Sequence, residues 1–215
     1  MSWSSPIASV SIANNGTTGA IDTTGADFLV AVVSQGFQVD PPTDNKSNTW
    51  TALTEQTGSS SNHVRIYYAK NATCGTGHTF TTPAGAAFPS LCVVAFFGSD
   101  LTSPFDNENG VGESSSPVST GSITPSQNDE LVIAIAGGNC TSPAIDGGFT
   151  LQENEDQTGG VNYGSAIAWL IQTTAAAANP AWTVASSCNA AIASFKAAAG
   201  GGGVNVAEIY HNLMA

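Results

Sequence analysis

The sequence is short of cations. Of 215 residues only 4 are Lys or Arg, against 16 Asp or Glu, and the formal net charge is −12. Charged residues make up 9% of the chain, where an ordinary soluble domain carries roughly 25%. A nucleic-acid binder neutralises phosphates with clustered Lys and Arg, and four scattered cations cannot do that. An anionic membrane surface repels such a chain for the same reason. Long hydrophobic runs are also missing: the longest, Phe28–Val33 and Leu91–Phe97, are too short to span a bilayer as helices. The start, Met1-Ser-Trp-Ser-Ser-Pro-Ile-Ala-Ser-Val, has no basic segment and no apolar core of a secretory leader, so use without export is expected. Cys74, Cys92, Cys140 and Cys188 form no CxxC pair and meet no His at zinc spacing, so neither a metal site nor a disulfide framework is expected. Disorder is excluded as well, because 41% of residues are hydrophobic and mean hydropathy is +0.05.

What is present is a series of short runs rich in Val, Ile, Phe, Trp, Tyr and Thr. Gly, Asn, Ser, Pro and Asp clusters separate them. The first series is 8–12, 28–34, 49–54, 64–69, 78–82 and 91–97; the second is 118–123, 131–136, 149–153, 166–171, 181–185 and 190–195. This is the punctuation of an all-β chain. The two series also resemble each other. Asp27-Phe-Leu-Val-Ala-Val-Val aligns with Asp129-Glu-Leu-Val-Ile-Ala-Ile at an offset of 102, and Arg65-Ile-Tyr-Tyr-Ala with Ile167-Ala-Trp-Leu-Ile at the same offset. Trp50-Thr51 aligns with Phe149-Thr150 at 99, Phe80-Thr81 with Trp182-Thr183 at 102, and Val94-Ala-Phe-Phe with Ile192-Ala-Ser-Phe at 98.

The expected fold is therefore a jelly-roll-like β-sandwich with two pseudo-repeated halves, residues 1–102 and 103–198. One continuous sandwich and two tandem small ones both satisfy the pattern. Runs such as 28–33 and 131–136 are apolar throughout rather than alternating, which places them where both faces are covered. The stretch 98–117, between the halves, reads as a structured surface loop. A glycine linker follows at 199–203, then a tail at 204–215. In that tail Val206, Ile209, Tyr210, Leu213 and Met214 fall on one face of a helix. The tail reads either as a docking peptide for a partner or as a segment folding back on its own domain.

Signals for chemistry are sparse. The three histidines, His63, His78 and His211, accompany no nucleophile elbow, and His63 and His78 are expected at exposed strand starts. No catalytic residue and no cofactor is assigned. Asp106, Glu108, Glu153 and Asp156 lie in oxygen-rich stretches that are calcium candidates, but neither stretch follows the EF-hand pattern. Trp50, Tyr67, Tyr68, Tyr163, Trp169 and Trp182 are candidates for a sugar platform; four of them sit at aligned positions, where core residues belong.

Three segments carry a family resemblance: Asp44-Asn-Lys-Ser-Asn-Thr-Trp-Thr, Val64-Arg-Ile-Tyr-Tyr-Ala-Lys-Asn and Ser103-Pro-Phe-Asp. Together they resemble β-sandwich proteins encoded with tailed-phage structural genes, over roughly residues 20–198. The resemblance implies a non-enzymatic virion component, assembled in the host cytoplasm. It would decorate the capsid as a cement protein, or serve as a related head or tail surface protein. The implied partners are the major capsid protein or another virion protein, and further copies of the chain, with a trimer as one arrangement. The alternative is a receptor- or carbohydrate-binding module on a virion or cell surface.

Overall fold

In a computed structural model the described residues are 2–37, 40–58 and 61–199. They form sixteen strands and no helix: β1 (Ala8–Ala13), β2 (Phe28–Gly36), β3 (Thr43–Asp44), β4 (Thr51–Ala52), β5 (Gln56–Thr57), β6 (Asn62–Lys70), β7 (Phe80–Thr81), β8 (Ala87–Phe96), β9 (Phe105–Ser115), β10 (Val118–Ser119), β11 (Glu130–Gly138), β12 (Ala144–Ile145), β13 (Thr150–Glu155), β14 (Gly164–Gln172), β15 (Ala181–Thr183) and β16 (Ser187–Phe195). All named pairings are antiparallel, so the all-β expectation is met.

The first half builds one large sheet in the order β1-β8-β2-β6-β4, with β5 also on β6; the second half builds another in the order β9-β16-β11-β14-β13. The register is shared too. Phe28 faces Lys70 and Gly36 faces Asn62 on β2–β6, while Glu130 faces Gln172 and Gly138 faces Gly164 on β11–β14. Those positions are displaced by 102 residues, but the matched side chains face opposite ways: Val30 lies between the two large sheets and Val132 on the outer side of its own.

Side-chain alternation explains why the central strands are apolar on both faces. Phe28, Val30 and Val32 of β2 join Leu131, Ile133 and Ile135 of β11 in one core between the two large sheets. Leu29, Ala31 and Val33 point the other way, into a second core closed by Phe80 of β7. Ala134 and Ala136 do the same in the second half, against Trp182 of β15. The small sheets β3-β7 and β10-β15-β12 thus lie outside the large ones, and the molecule has four layers. Each half is a small sandwich, and the two large sheets stack face to face. Each large sheet draws its strands from one half of the chain, so the path between them does not interleave as a jelly roll would.

The stretch 98–117 is not a loop. Its residues 105–115 form β9, an eleven-residue edge strand on β16. Gly, Asn and Glu hide it in the sequence, because a strand paired on one side only needs no apolar alternation. Facing edges meet crosswise: β1 lies over β13 and β5 over β9.

The inner core is graded along its length. At the end where both described termini lie, marked by Ser4 on Phe97 and Ala198 on Gly98, it is aromatic. There the Phe28 ring meets Trp3 at 5.2 Å and Phe195 at 5.0 Å between centroids. At the opposite end it is small and polar. A Cβ on Gly137 would stand 2.5 Å from Val64 Cγ2, so only glycine lets the sheets close there. Gly138 N donates to Ser34 Oγ at 2.9 Å, and Asn189 Nδ2 donates to Asn62 Oδ1 across the same gap.

Candidate functional site

The polar-cored end of the stack is the candidate site, because its rings stand further into solvent than Phe97 does at the other end, where that ring is 41% exposed. Phe37 is 68% exposed, Phe88 48% and Val161 41%. Phe88 gathers with Tyr163. Tyr163 N donates to Phe88 O at 2.8 Å, and their rings meet edge-on at 6.5 Å. The Tyr163 ring also covers Gly36, the residue before Phe37; a Cβ there would lie 3.3 Å from Tyr163 Cε2.

Local backbone geometry puts the rings outside. Phe37 has φ 64° and Phe88 φ 54°, a left-handed conformation that costs a bulky L-residue about 1–2 kcal/mol. On β8 the register slips between Ser34–Ser90 and Gly36–Ala87. This bulge places Phe88 and Pro89 opposite Gln35 alone, and a bulge re-aims its side chain. The matching strands β11 and β16 run without a slip.

Carboxylates flank the rings. Glu155 ends β13 on one side, with Asp156 exposed beyond it. On the other side Glu113 accepts from Asn139 Nδ2 at 3.0 Å and Ser187 Oγ at 2.8 Å. Three of the chain's four cations are elsewhere, and Arg65, three residues inside β6, is paired with Glu55. Lys46 is on Thr76 O, Arg65 on Leu53 O beside Glu55, Lys70 on Thr102 O, and Lys196 follows β16 at the far end.

The calcium candidates are dispersed, and N–H or O–H donors already occupy them. Glu108 accepts Thr54 N at 3.0 Å and Thr54 Oγ1 at 2.9 Å. Glu153 accepts Ser9 Oγ, so both residues tie one half to the other. Asp106 accepts Ser126 N at 2.8 Å and Ser126 Oγ at 2.6 Å; Asp156 accepts Ser142 N at 2.8 Å. Among the described residues no three His, Cys, Asp or Glu gather as a ligand set. Val206, Ile209, Tyr210, Leu213, Met214 and His211 lie outside the described residues.

The expected exposure of His78 is corrected. It is fully buried, with Nε2 3.2 Å from Asp44 Oδ1 and Nδ1 2.9 Å from Thr23 Oγ1. Asp44 Oδ2 also accepts Trp50 Nε1 at 3.1 Å, and Asp44 Oδ1 accepts Lys46 N at 2.9 Å. The order hydroxyl, imidazole, carboxylate resembles a nucleophile relay, but Thr23, His78 and the Asp44 side chain are all sealed from solvent. Desolvation dominates and pulls the His78 pKa down, with Asp44 opposing it. His63 bonds Glu55 instead.

Of the platform candidates, Tyr67, Tyr68 and Trp182 are buried, while Trp50 and Trp169 are partly covered by the cores they pack on. Only Tyr163 belongs to the exposed cluster. Burial pushes the Cys188 thiol up to about 12 and the Cys92 and Cys140 thiols higher still, which keeps them protonated. Open depressions occur at Phe149, Leu170 and Pro180, about 330 Å³, and at Thr54, Gln56 and Glu108, about 290 Å³. Neither adjoins the aromatic end.

Comparison with protein-family models, with curated proteins and with solved structures finds no match.

Proposed function

We propose that this chain is a non-enzymatic structural protein of a tailed-phage virion, decorating the capsid and stabilising it through the major capsid protein and its own copies. The observation that carries the reading is the exposed aromatic cluster of Phe37, Phe88 and Tyr163, opposite the end at which both described termini lie. Exposed bulky rings mark an interaction surface, and backbone strain stored at them points to function rather than packing. The sequence resemblance supplies the class of partner. A protein that binds the assembled shell and not its free subunits stabilises the shell by mass action. The tail at 204–215 is a second anchor in this reading.

The test is to add the purified chain to shells of the major capsid protein encoded beside it. Saturable binding and a raised shell melting temperature are expected, both lost in Phe37→Ser/Phe88→Ser. Shells that neither bind the chain nor melt later overturn the proposal. The same exposed rings also suit a receptor glycan, and glycan-array binding lost in the same variant would favour that second reading.

A further inference from the structure

We infer that the aromatic end receives a basic protein surface, one that presents arginine around an apolar centre. The inference rests on the partner-docking part of the proposed function and specifies the partner's chemistry. Three features of the end point the same way.

First, its anatomy is that of an interface, with an apolar centre inside a polar rim. Phe88 and Tyr163 pair where β8 and β14 begin, Phe37 follows the end of β2, and Glu155 with Asp156 and Glu113 lie at the same end of the flanking strands β13 and β9. Second, the rim has one sign. Glu113, Glu155 and Asp156 are there, Lys46, Lys70 and Lys196 are held elsewhere, and Arg65, three residues inside β6, is paired with Glu55. A second copy of this chain, also at −12, would meet this end with like charge, and so would any acidic partner. Third, the ring faces are negative. Guanidinium groups stack on such faces and fork onto carboxylates, and a carboxylate offers about four acceptor sites, so Glu113 and Asp156 can take one arginine beside the donors they already hold.

The geometry of Phe37 and Phe88 separates this role from folding. Glycine accepts the left-handed conformation that these residues occupy with strain. Phe37→Gly should therefore fold at least as stably as the native chain while binding more weakly. A residue retained for packing would behave in the opposite way.

The experiment uses the full chain and two kinds of probe, titrated at 50 mM and 300 mM NaCl. One probe is the shell of the major capsid protein. The other is a set of three synthetic amphipathic peptides with the same Leu and Phe positions, whose polar positions are all Arg, all Gln or all Glu. The Arg peptide should bind at least tenfold more tightly than the Gln peptide, and the Glu peptide least. Phe37→Gly and Phe88→Ser should each weaken binding by about thirtyfold, as central anchors do. Glu113→Gln, Glu155→Gln and Asp156→Asn should each weaken it by about two- to fivefold, and the salt dependence should shrink in the triple variant. Glu108→Gln, away from this end, should change nothing.

Equal affinity for the three peptides overturns the inference, as does a glycan that binds in their place and is lost in the same variants. Binding of the Arg peptide without the shell keeps the inference and removes the capsid reading. Binding of the shell with no response to the carboxylate variants keeps the capsid reading and removes the inference.

Discussion

The two halves of the molecule share a strand order and a register, yet they invest their polar residues differently. In the first half the small sheet is pinned to the large one by a buried carboxylate. Asp44 gathers His78, Trp50, Asn48 and the backbone of Lys46. In the second half the aspartate after β12, Asp146, is exposed and accepts Ala181 N at 2.7 Å; the outer core there is closed by Trp182, Phe149 and alanines. The rim differs as well, because the two most exposed rings, Phe37 and Phe88, both come from the first half. One scaffold thus supports a polar staple and an aromatic display in one copy, and plain apolar packing in the other. The shared strand register fixes the architecture and leaves the chemistry of each half free.

Mutations that ignore this division should have the largest effect. Phe195 belongs to the core both halves share and touches Phe28 and Tyr68. Phe195→Ala should cost about 3–5 kcal/mol and lower the stability of both halves together, as a single shifted transition in urea. Two transitions would mean that the halves unfold independently.

The staple comes next. Asp44→Ala strands several buried donors, each worth about 1–3 kcal/mol when unpaired, and should cost about 3 kcal/mol. Asp146→Ala, which frees one exposed amide, should cost about 1 kcal/mol or less. Equal losses, read from tryptophan fluorescence in urea, would erase the distinction between the halves. Smaller again is Phe37→Gly, expected to gain up to about 1 kcal/mol by relieving the left-handed strain.

The last prediction has opposite signs in the two halves. Burial lowers the His78 pKa, so the folded first half takes up a proton less readily than the unfolded chain. Its stability should fall as pH drops below the ordinary histidine value of 6.5. Glu130 is buried and its Oε2 has no hydrogen-bond partner. Desolvation, then the nearby Asp106 charge, raises its pKa above 4.5. Folding here favours the protonated acid, so stability is present below 4.5 and lost as pH rises through the raised value. Amide hydrogen exchange should show acid loosening β3-β7 and tightening β11, with Glu130→Gln abolishing the second effect alone.

The sequence pattern was most legible where both faces of a strand are buried. Continuous apolar runs located β2, β8, β11 and β16 to within a few residues. It was least legible at edges. β9 reads as a loop because its residues need satisfy only one neighbour. The even offsets of the alignment also hide a change of face: Val30 and Val94 fill the inner core, whereas Val132 and Ile192, at the aligned places, lie on the outer side of their sheet. The aromatic end was missed for a different reason. Phe37 after Gly36 and Phe88 before Pro89 look like ordinary turn residues, and only the backbone φ values reveal that their rings are turned outward.

The edge strands have one further consequence. β9 bears Asp106, Glu108 and Glu113, and β13 bears Glu153 and Glu155. Five of the chain's sixteen acidic residues therefore lie along two open sheet margins. An open margin is a template on which another chain can add a strand, and charge along it opposes that addition. Crowded side by side, copies of this protein would repel one another where they are most vulnerable to fusing into continuous sheet. The acidity of the chain works as protection against aggregation.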